Sequence, residues 1–428
     1  MHPSAPAEQK KEQERGTNEM ETNKKPDTQL RIGIVGLGGR GQGLLSILLA
    51  MDDVAITAVC DRYEDRTEAG ARLVTDKGRP RPFATRDYRE LLRRDDVDCV
   101  ITPSSWTSHS EIMAAAMKAG KPVASEVGGA TSVEECWELI RTYKETGVPC
   151  MMLENCCYGR EEMALLNMVR QGIFGELIHC QGGYEHDLRD EVSLGLDQRH
   201  YRFRNYQHRN GDIYPTHALG PLAKMLNINR GNRFVSLASF ATKTRGIREW
   251  AQTNLPAGHA ANEAGFVQGD VVTTVLTCAH GETVVLTHDT SLPRPYSRGG
   301  RVQGTRGIWM EINDSIYLEG RSPKHQWESF RNVIGQYDNP LWQDSDVATF
   351  AAGHGGMDYL ILRAFIEPLQ NGLTVLPIDV YDTVTWMAVT ALSEESVALG
   401  GHPVSFPDFT RGAWIEREMA PQHRYSLD

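Results

Sequence analysis

Tyr214, Thr216 and His217 bring a phenol, a hydroxyl and an imidazole into one short stretch, Asn210-Gly211-Asp212-Ile213-Tyr214-Pro215-Thr216-His217. It stands between a turn signal and a helix-like run and suits a substrate wall; the competing reading is a helix cap with a satisfied core histidine. A second polar concentration is Gly183-Tyr184-Glu185-His186-Asp187. A tyrosine there abstracts a proton only if nearby positive charge or hydrogen bonds lower its pKa from ~10. Three further groups, Trp106/His109, Glu126 and Glu154/Asn155, each follow a strand-like run. One such residue is ordinarily a cap, but three strand ends form a rim and predict a site.

The elements that position these groups begin with a buried strand, Ile32 to Val35, followed by Gly36-Leu37-Gly38-Gly39-Arg40-Gly41, which fits G-x-G-x-x-G, and by leucines at helical spacing. Gly36 permits the tight turn, Gly38 lets the backbone approach a pyrophosphate, and Gly41 lets the helix lie close to the strand. A second strand, Val54 to Val59, delivers Asp61 twenty positions after Gly41, where a carboxylate holds a ribose 2′-hydroxyl. An anion there repels a 2′-phosphate, so NAD is expected over NADP, with neighbouring Arg62 softening the preference. The plainer alternative is a glycine-rich turn with a helix-capping Asp.

Strands and helices alternate onward: helix Tyr88 to Arg94, strand Asp98 to Thr102, helix Glu111 to Ala119, strand Pro122 to Ser125, helix Ser132 to Thr146 and strand Cys150 to Leu153. This alternation predicts a Rossmann-type, doubly wound parallel α/β sheet. Ligands in such sheets lie beyond the carboxyl ends of strands, so Trp106 and His109, in Trp106-Thr107-Ser108-His109, are placed to line the nicotinamide side. His109 also reads as a helix N-terminal histidine with no role. Beyond helix Arg160 to Gln171, a strand at Gly175 to Cys180, a hairpin Asp270 to Thr290 and short strands Gly307 to Ile312 and Ser315 to Leu318 predict a second α/β domain with an open, mostly antiparallel sheet. Helices Tyr359 to Leu369 and Asp379 to Leu399 close it. The expected divisions are a disordered polar leader over 1–28, a dinucleotide-binding domain over 29–155 and a substrate domain over 156–428.

Composition removes other classes. A net charge of -11 with no basic stripe gives no attraction for nucleic acid. No apolar run approaches the ~18 residues of a membrane span. The eight cysteines are scattered among apolar runs, as in a reduced compartment, and the polar leader lacks the apolar core of a secretory signal, so the cytoplasm is expected. Cys156-Cys157 has no second Cys/His pair at zinc-like spacing, and no metal is expected.

Taken together, the first-domain motifs resemble the glucose-fructose oxidoreductase / inositol dehydrogenase (Gfo/Idh/MocA) family. Dehydrogenases of that family carry Glu-Lys-Pro at a strand end, with the Lys catalytic; here the segment is Glu126-Val127-Gly128. Asn-Gly-Asp-Ile-Tyr-Pro-Thr-His resembles the signature of glycoside hydrolase family 109, the NAD-dependent α-N-acetylgalactosaminidase branch. Leu153-Glu154-Asn155, Gly183 to Asp187, Arg202 twelve positions before Tyr214, and Pro293-Arg294-Pro295-Tyr296 stand at matching places.

The resemblance implies that Gly39, Arg40, Asp61, Trp106 to His109, Glu126, Val127, Asn155 and Tyr214 hold NAD. Tyr184, Arg202, Tyr214 to His217 and Tyr296 would hold the sugar. It further implies hydride removal at carbon 3, proton loss at carbon 2, elimination of the aglycone, addition of water at carbon 1 and re-reduction. Tyr184 would be the carbon 2 base and His217 would move the proton at carbon 3. Terminal α-GalNAc on a small molecule or glycan is the implied substrate, and packing of the open sheet against a second copy implies a homo-oligomer. The rival functions are an NAD-dependent sugar or cyclitol dehydrogenase and a non-catalytic sugar sensor.

Overall fold

The computed structural model describes residues 29–350, 354–420 and 422–428. The expected leader, 1–28, lies outside the described residues. Six strands form a parallel sheet: β1 (Leu30–Val35), β2 (Val54–Cys60), β3 (Phe83–Thr85), β4 (Cys99–Thr102), β5 (Val123–Ser125) and β6 (Cys150–Met152). Their order is β3-β2-β1-β4-β5-β6. Residues Ile32 to Val35 and all of β4 are buried, because helices cover both faces of a parallel sheet and leave no polar side. The order reverses between β1 and β4, which opens the ligand crevice at their carboxyl ends.

The second sheet has nine strands: β7 (Leu177–Glu185), β8 (Phe234–Ala241), β9 (Val271–Cys278), β10 (Thr283–Asp289), β11 (Arg301–Gly304), β12 (Gly307–Met310), β13 (Ser315–Leu318), β14 (Glu328–Ser329) and β15 (Val404–Ser405). Only the β7–β10 pair is parallel; the other pairs are antiparallel. Strands β9 and β10 alternate buried and half-buried residues, the pattern of a sheet with one packed face.

Three of the departures from the sequence expectations have a plain physical reason. The helix expected from Glu111 starts at Trp106, so Trp106 to His109 form its first turn rather than a loop. Weak helix formers hid that start, yet Ser108 Oγ bonds Ser105 O at 2.8 Å and Ser104 Oγ at 2.9 Å, anchoring the turn locally. Strand β7 runs on to Glu185, so Tyr184 is a strand residue. Its two glycines make this possible, since a Cβ at Gly183 would lie 2.1 Å from Thr287 O and one at Gly182 2.6 Å from Ala218 Cβ. Strand β8 was not anticipated because alternating Ser and Ala dilute its apolar signal; hydroxyl pairs Ser236–Thr277 (2.7 Å) and Ser239–Thr274 (2.8 Å) tie it to β9.

The buried helix Val380–Ala398 packs on β6, β8 and the helices Val133–Thr146 and Thr216–Met225. Asp379 and Asp382 close a capping box at its start. Asp382 also accepts from Lys224 Nζ and Arg230 Nη1, both at 2.8 Å, and Asp428 accepts from the same two cations at 2.9 and 2.6 Å. These four side chains are almost fully buried, so the network fixes the helix that begins with Thr216 and His217 against the 19-residue helix Val380–Ala398. No helix among the described residues is long and apolar enough to cross a membrane.

Candidate active site

Two positions of the glycine turn, Gly36 and Gly41, admit only glycine. Gly36 has φ +112°, and a Cβ there would come within 2.6 Å of Pro103 O; one at Gly41 would lie 2.0 Å from Gly36 O. Gly39 has open space at its Cβ position, and it starts the helix Gly39–Leu49, whose N-terminal amides attract phosphate. Asp61, at the end of β2, receives the Leu37 N–H at 2.8 Å and the Tyr63 N–H at 2.9 Å. The cradle and a carboxylate at that strand end fit the pyrophosphate and ribose of a dinucleotide.

Arg40 is held rather than free. Glu126 Oε1 accepts from it at 2.7 Å and Asp358 accepts at 2.5 and 2.8 Å. Asp358 also accepts from Asn155 Nδ2 at 2.8 Å and contacts His354 Nδ1 at 2.9 Å. Burial opposes its charge, but His354 and Arg40 outweigh that and keep the carboxyl well below the usual range. Asp358 thus bonds two expected cofactor residues, Arg40 and Asn155, and is linked to Glu126 through Arg40; no sequence signal marked it. Val127 is buried, with its N–H on Glu126 Oε2 at 3.1 Å. His109 is buried with Nε2 3.1 Å from Ser104 O, and burial lowers its pKa to about 4, so the ring is neutral. Thr107 is exposed.

Segment 198–201 crosses the crevice. Arg66, whose guanidinium lies 3.5 Å from a Cβ position at Gly38, donates to Gln198 O at 2.9 Å. Arg199 makes a two-pronged bond to Asp65 at 2.9 and 2.7 Å and covers the Tyr63 ring at 4.4 Å. Tyr201 reaches Trp106, with ring centroids 4.8 Å apart.

Trp106 in turn lies 5.5 Å from Tyr214, which lies 4.4 Å from Tyr184 and 5.0 Å from His217. Tyr184 Oη is 3.2 Å from His186 Nδ1, and the half-exposed Tyr296 sits edge-on to His186 at 5.2 Å. The fold therefore gathers Trp106, Tyr184, Tyr214, His217 and Tyr296 on one continuous wall. Arg202 stands behind it, buried, 5.3 Å from the Tyr214 ring, 5.9 Å from Tyr184 and 5.5 Å from Trp106, with Glu191 at 3.0 Å. Burial works against its charge, yet the phenols and Glu191 keep it firmly protonated. Pro215 begins the helix turn that presents Thr216, fully buried, and His217.

His217 Nδ1 lies 2.7 Å from Glu154 Oε1. Burial disfavours both charges, but they hold each other and Cys156 adds to the effect on the ring, so the Glu154 carboxyl is lowered and the His217 imidazole raised well above 6.5. An ionised carboxylate only accepts, so Nδ1 bears the hydrogen and Nε2 is the nitrogen available to exchange a proton. Glu154 was legible as a strand-end residue, but its bond to His217 was not.

Asp212, in the same motif, is buried with no side chain among the described residues donating to it, and burial pushes its carboxyl up to about 7 against a smaller pull from the Tyr214 amide. Its folded value exceeds the unfolded ~3.9, so its stabilisation is complete below ~3.9 and is lost as pH rises through about 7. Asp212→Asn is therefore expected to gain stability relative to the parent as pH rises from 5 to 8, read by denaturant midpoints across that range. A gap that does not change with pH would exclude this titration.

A nicotinamide-dinucleotide cradle facing a wall of phenols and an imidazole defines an NAD-dependent enzyme of the Gfo/Idh/MocA architecture. Residues 30–154 match the oxidoreductase family NAD-binding Rossmann fold, and residues 158–416 match the glycosyl hydrolase 109 C-terminal domain. The chain belongs to glycosyl hydrolase family 109. It is 42% identical over 414 residues to a glycosyl hydrolase family 109 protein of Stenotrophomonas maltophilia, covering 91% of each chain. It is also 42% identical over 419 residues to an alpha-N-acetylgalactosaminidase of Tannerella forsythia, covering 92% of this chain and 89% of the relative. In fold it is similar to levoglucosan dehydrogenase in complex with NADH and levoglucosan (TM-score 0.68, 18% identity, 89% of this chain and 100% of that one). The scyllo-inositol dehydrogenase of Lactobacillus casei shares the fold at TM-score 0.61 and 14% identity, over 89% of this chain and 98% of that one.

Proposed function

We propose that this glycosidase removes terminal α-N-acetylgalactosamine from glycans by oxidation at carbon 3, elimination across carbons 2 and 1, addition of water at carbon 1 and re-reduction. The observation that carries the reading is the convergence of Tyr184, Tyr214 and His217 within 5.5 Å between ring centroids, beside Trp106 at the carboxyl edge of the parallel sheet. The name of the Tannerella forsythia relative supports the substrate.

Bound NAD⁺ supplies the hydride acceptor and, later, the donor. His217 rests charged, with Glu154 holding the ring by Nδ1; once Nε2 has released its own proton to solvent, it takes the hydroxyl proton at carbon 3 and returns it at re-reduction. A ketone at carbon 3 acidifies the neighbouring hydrogen, and Tyr184 removes it from carbon 2 under the field of buried Arg202. Tyr214 and Tyr296 orient the sugar. Val127, where dehydrogenases of the superfamily carry Lys, favours this route over net dehydrogenation.

Purified protein is expected to release the aryl group from an aryl α-GalNAc with no net NADH. A dehydrogenase would accumulate NADH in step with product, and a sensor would bind the sugar without turnover. Cofactor choice rests on Asp61: Asp61→Ala is expected to bind NAD more weakly and to lose discrimination against NADP, measured by titration calorimetry. Equal affinity of the parent for both dinucleotides would remove that role.

A further inference from the structure

We propose that Glu154, Cys156 and His217 form an inhibitory site for a thiophilic divalent cation of the zinc class. Spacing in the chain had spoken against a metal at Cys156-Cys157, because the partners are not a nearby pair. The fold supplies them instead. A carboxylate oxygen of Glu154, Cys156 Sγ and a ring nitrogen of His217 all lie within 4.8 Å of one another.

The donor types select the ion. One thiolate, one imidazole and one carboxylate suit zinc, whereas magnesium and calcium seek oxygen alone. Tetrahedral zinc holds such ligands at about 2.0–2.3 Å, which sets the donors about 3–4 Å apart and requires only small side-chain shifts. A second observation points to a ligand: among the described residues the buried Glu154 Oε2 has only the adjacent, likewise buried Thr216 hydroxyl to turn to, and no partner in good hydrogen-bond geometry. The thiol at present donates to Asn155 Oδ1 at 3.6 Å and accepts from Arg298 Nη1 at 3.1 Å; Glu162 already binds that guanidinium at 2.5 Å, so releasing the sulfur leaves no bare charge. The His217 side chain is 12% exposed and provides the way in. Binding displaces the thiol proton and the ring proton facing Glu154, and it leaves a fourth position for water or a sugar hydroxyl.

Occupancy would take His217 and Glu154 out of use, so the ion is an inhibitor; its binding can be read whatever reaction the site performs. The test uses Co²⁺ as a visible probe on chelator-treated protein. One equivalent is expected to give tetrahedral cobalt bands and a sulfur-to-cobalt charge-transfer band. Cys156→Ser should abolish that band and Cys157→Ser should keep it. Zn²⁺ should displace the cobalt and stop turnover over the same concentration range, with at least a tenfold loss of sensitivity in Cys156→Ser relative to its own metal-free rate. Cobalt bound without the charge-transfer band, a band that depends on Cys157, or unchanged zinc sensitivity in Cys156→Ser would overturn the proposal. Should Cys156→Ser fail to fold, X-ray absorption of the zinc-loaded parent decides: one sulfur among nitrogen and oxygen ligands supports the site, and a shell without sulfur rejects it.

Discussion

Tyr184→Phe is expected to lower glycoside turnover by about 10²–10⁴-fold, the usual contribution of a general base, while NAD binding is kept. The substitution is clean because the ring can stay where it is, 4.4 Å from Tyr214 on strand β7, and only the hydroxyl near His186 is lost. The dinucleotide cradle lies in the other sheet and should be untouched. The parent enzyme in deuterated water should place deuterium at carbon 2 of the released sugar, since elimination exchanges that hydrogen and an oxocarbenium route does not. A loss of only a few-fold would take Tyr184 out of the role. Product without deuterium at carbon 2 would overturn the elimination route itself.

The largest effect on stability is expected at Asp382. Asp382→Ala should cost about 3–5 kcal/mol, because it strips a buried partner from Lys224 and Arg230 and leaves their charges short of compensation. It also opens the capping box of Val380–Ala398. Burial alone would raise this carboxyl, but Arg230 and Lys224 dominate and hold it well below the usual range. A depressed folded value means the stabilisation is present above the unfolded ~3.9 and is lost only as pH falls below it. Urea denaturation at pH 7 should therefore show a lower midpoint with an unchanged slope. At pH 3 the penalty should shrink. A cost under about 1 kcal/mol would show that Asp379 and Asp428 neutralise both cations without Asp382.

What the chain reveals before folding is what is local. Gly36 to Gly41 and Asp61 are separated by one helix and one strand, so spacing and period suffice to place them. The Tyr214–His217 wall was visible as a motif, again within one turn and one helix. The bond between His217 and Glu154 spans 63 positions and that between Asn155 and Asp358 spans 203. Such pairs are created by the packing of two sheets, and no periodicity encodes them. Trp106 to His109 shows a different limit: serine and threonine are poor helix formers in the middle of a helix but good ones at its start, and propensity alone reads the start as loop.

The clasp of segment 198–201 over the crevice has a consequence for how the cofactor comes and goes. Its Arg199–Asp65 pair is exposed on both sides (39% and 64%), so it holds only weakly and loosens further as ions screen it. The strap is also tied by the Arg66 bond to Gln198 O and by the Tyr201–Trp106 contact, so the surface ion pair is the one of these three attachments that salt weakens most. NAD release from the loaded protein, followed by stopped-flow fluorescence, is expected to quicken as ionic strength rises, and a rate indifferent to salt would leave the strap without a part in exchange.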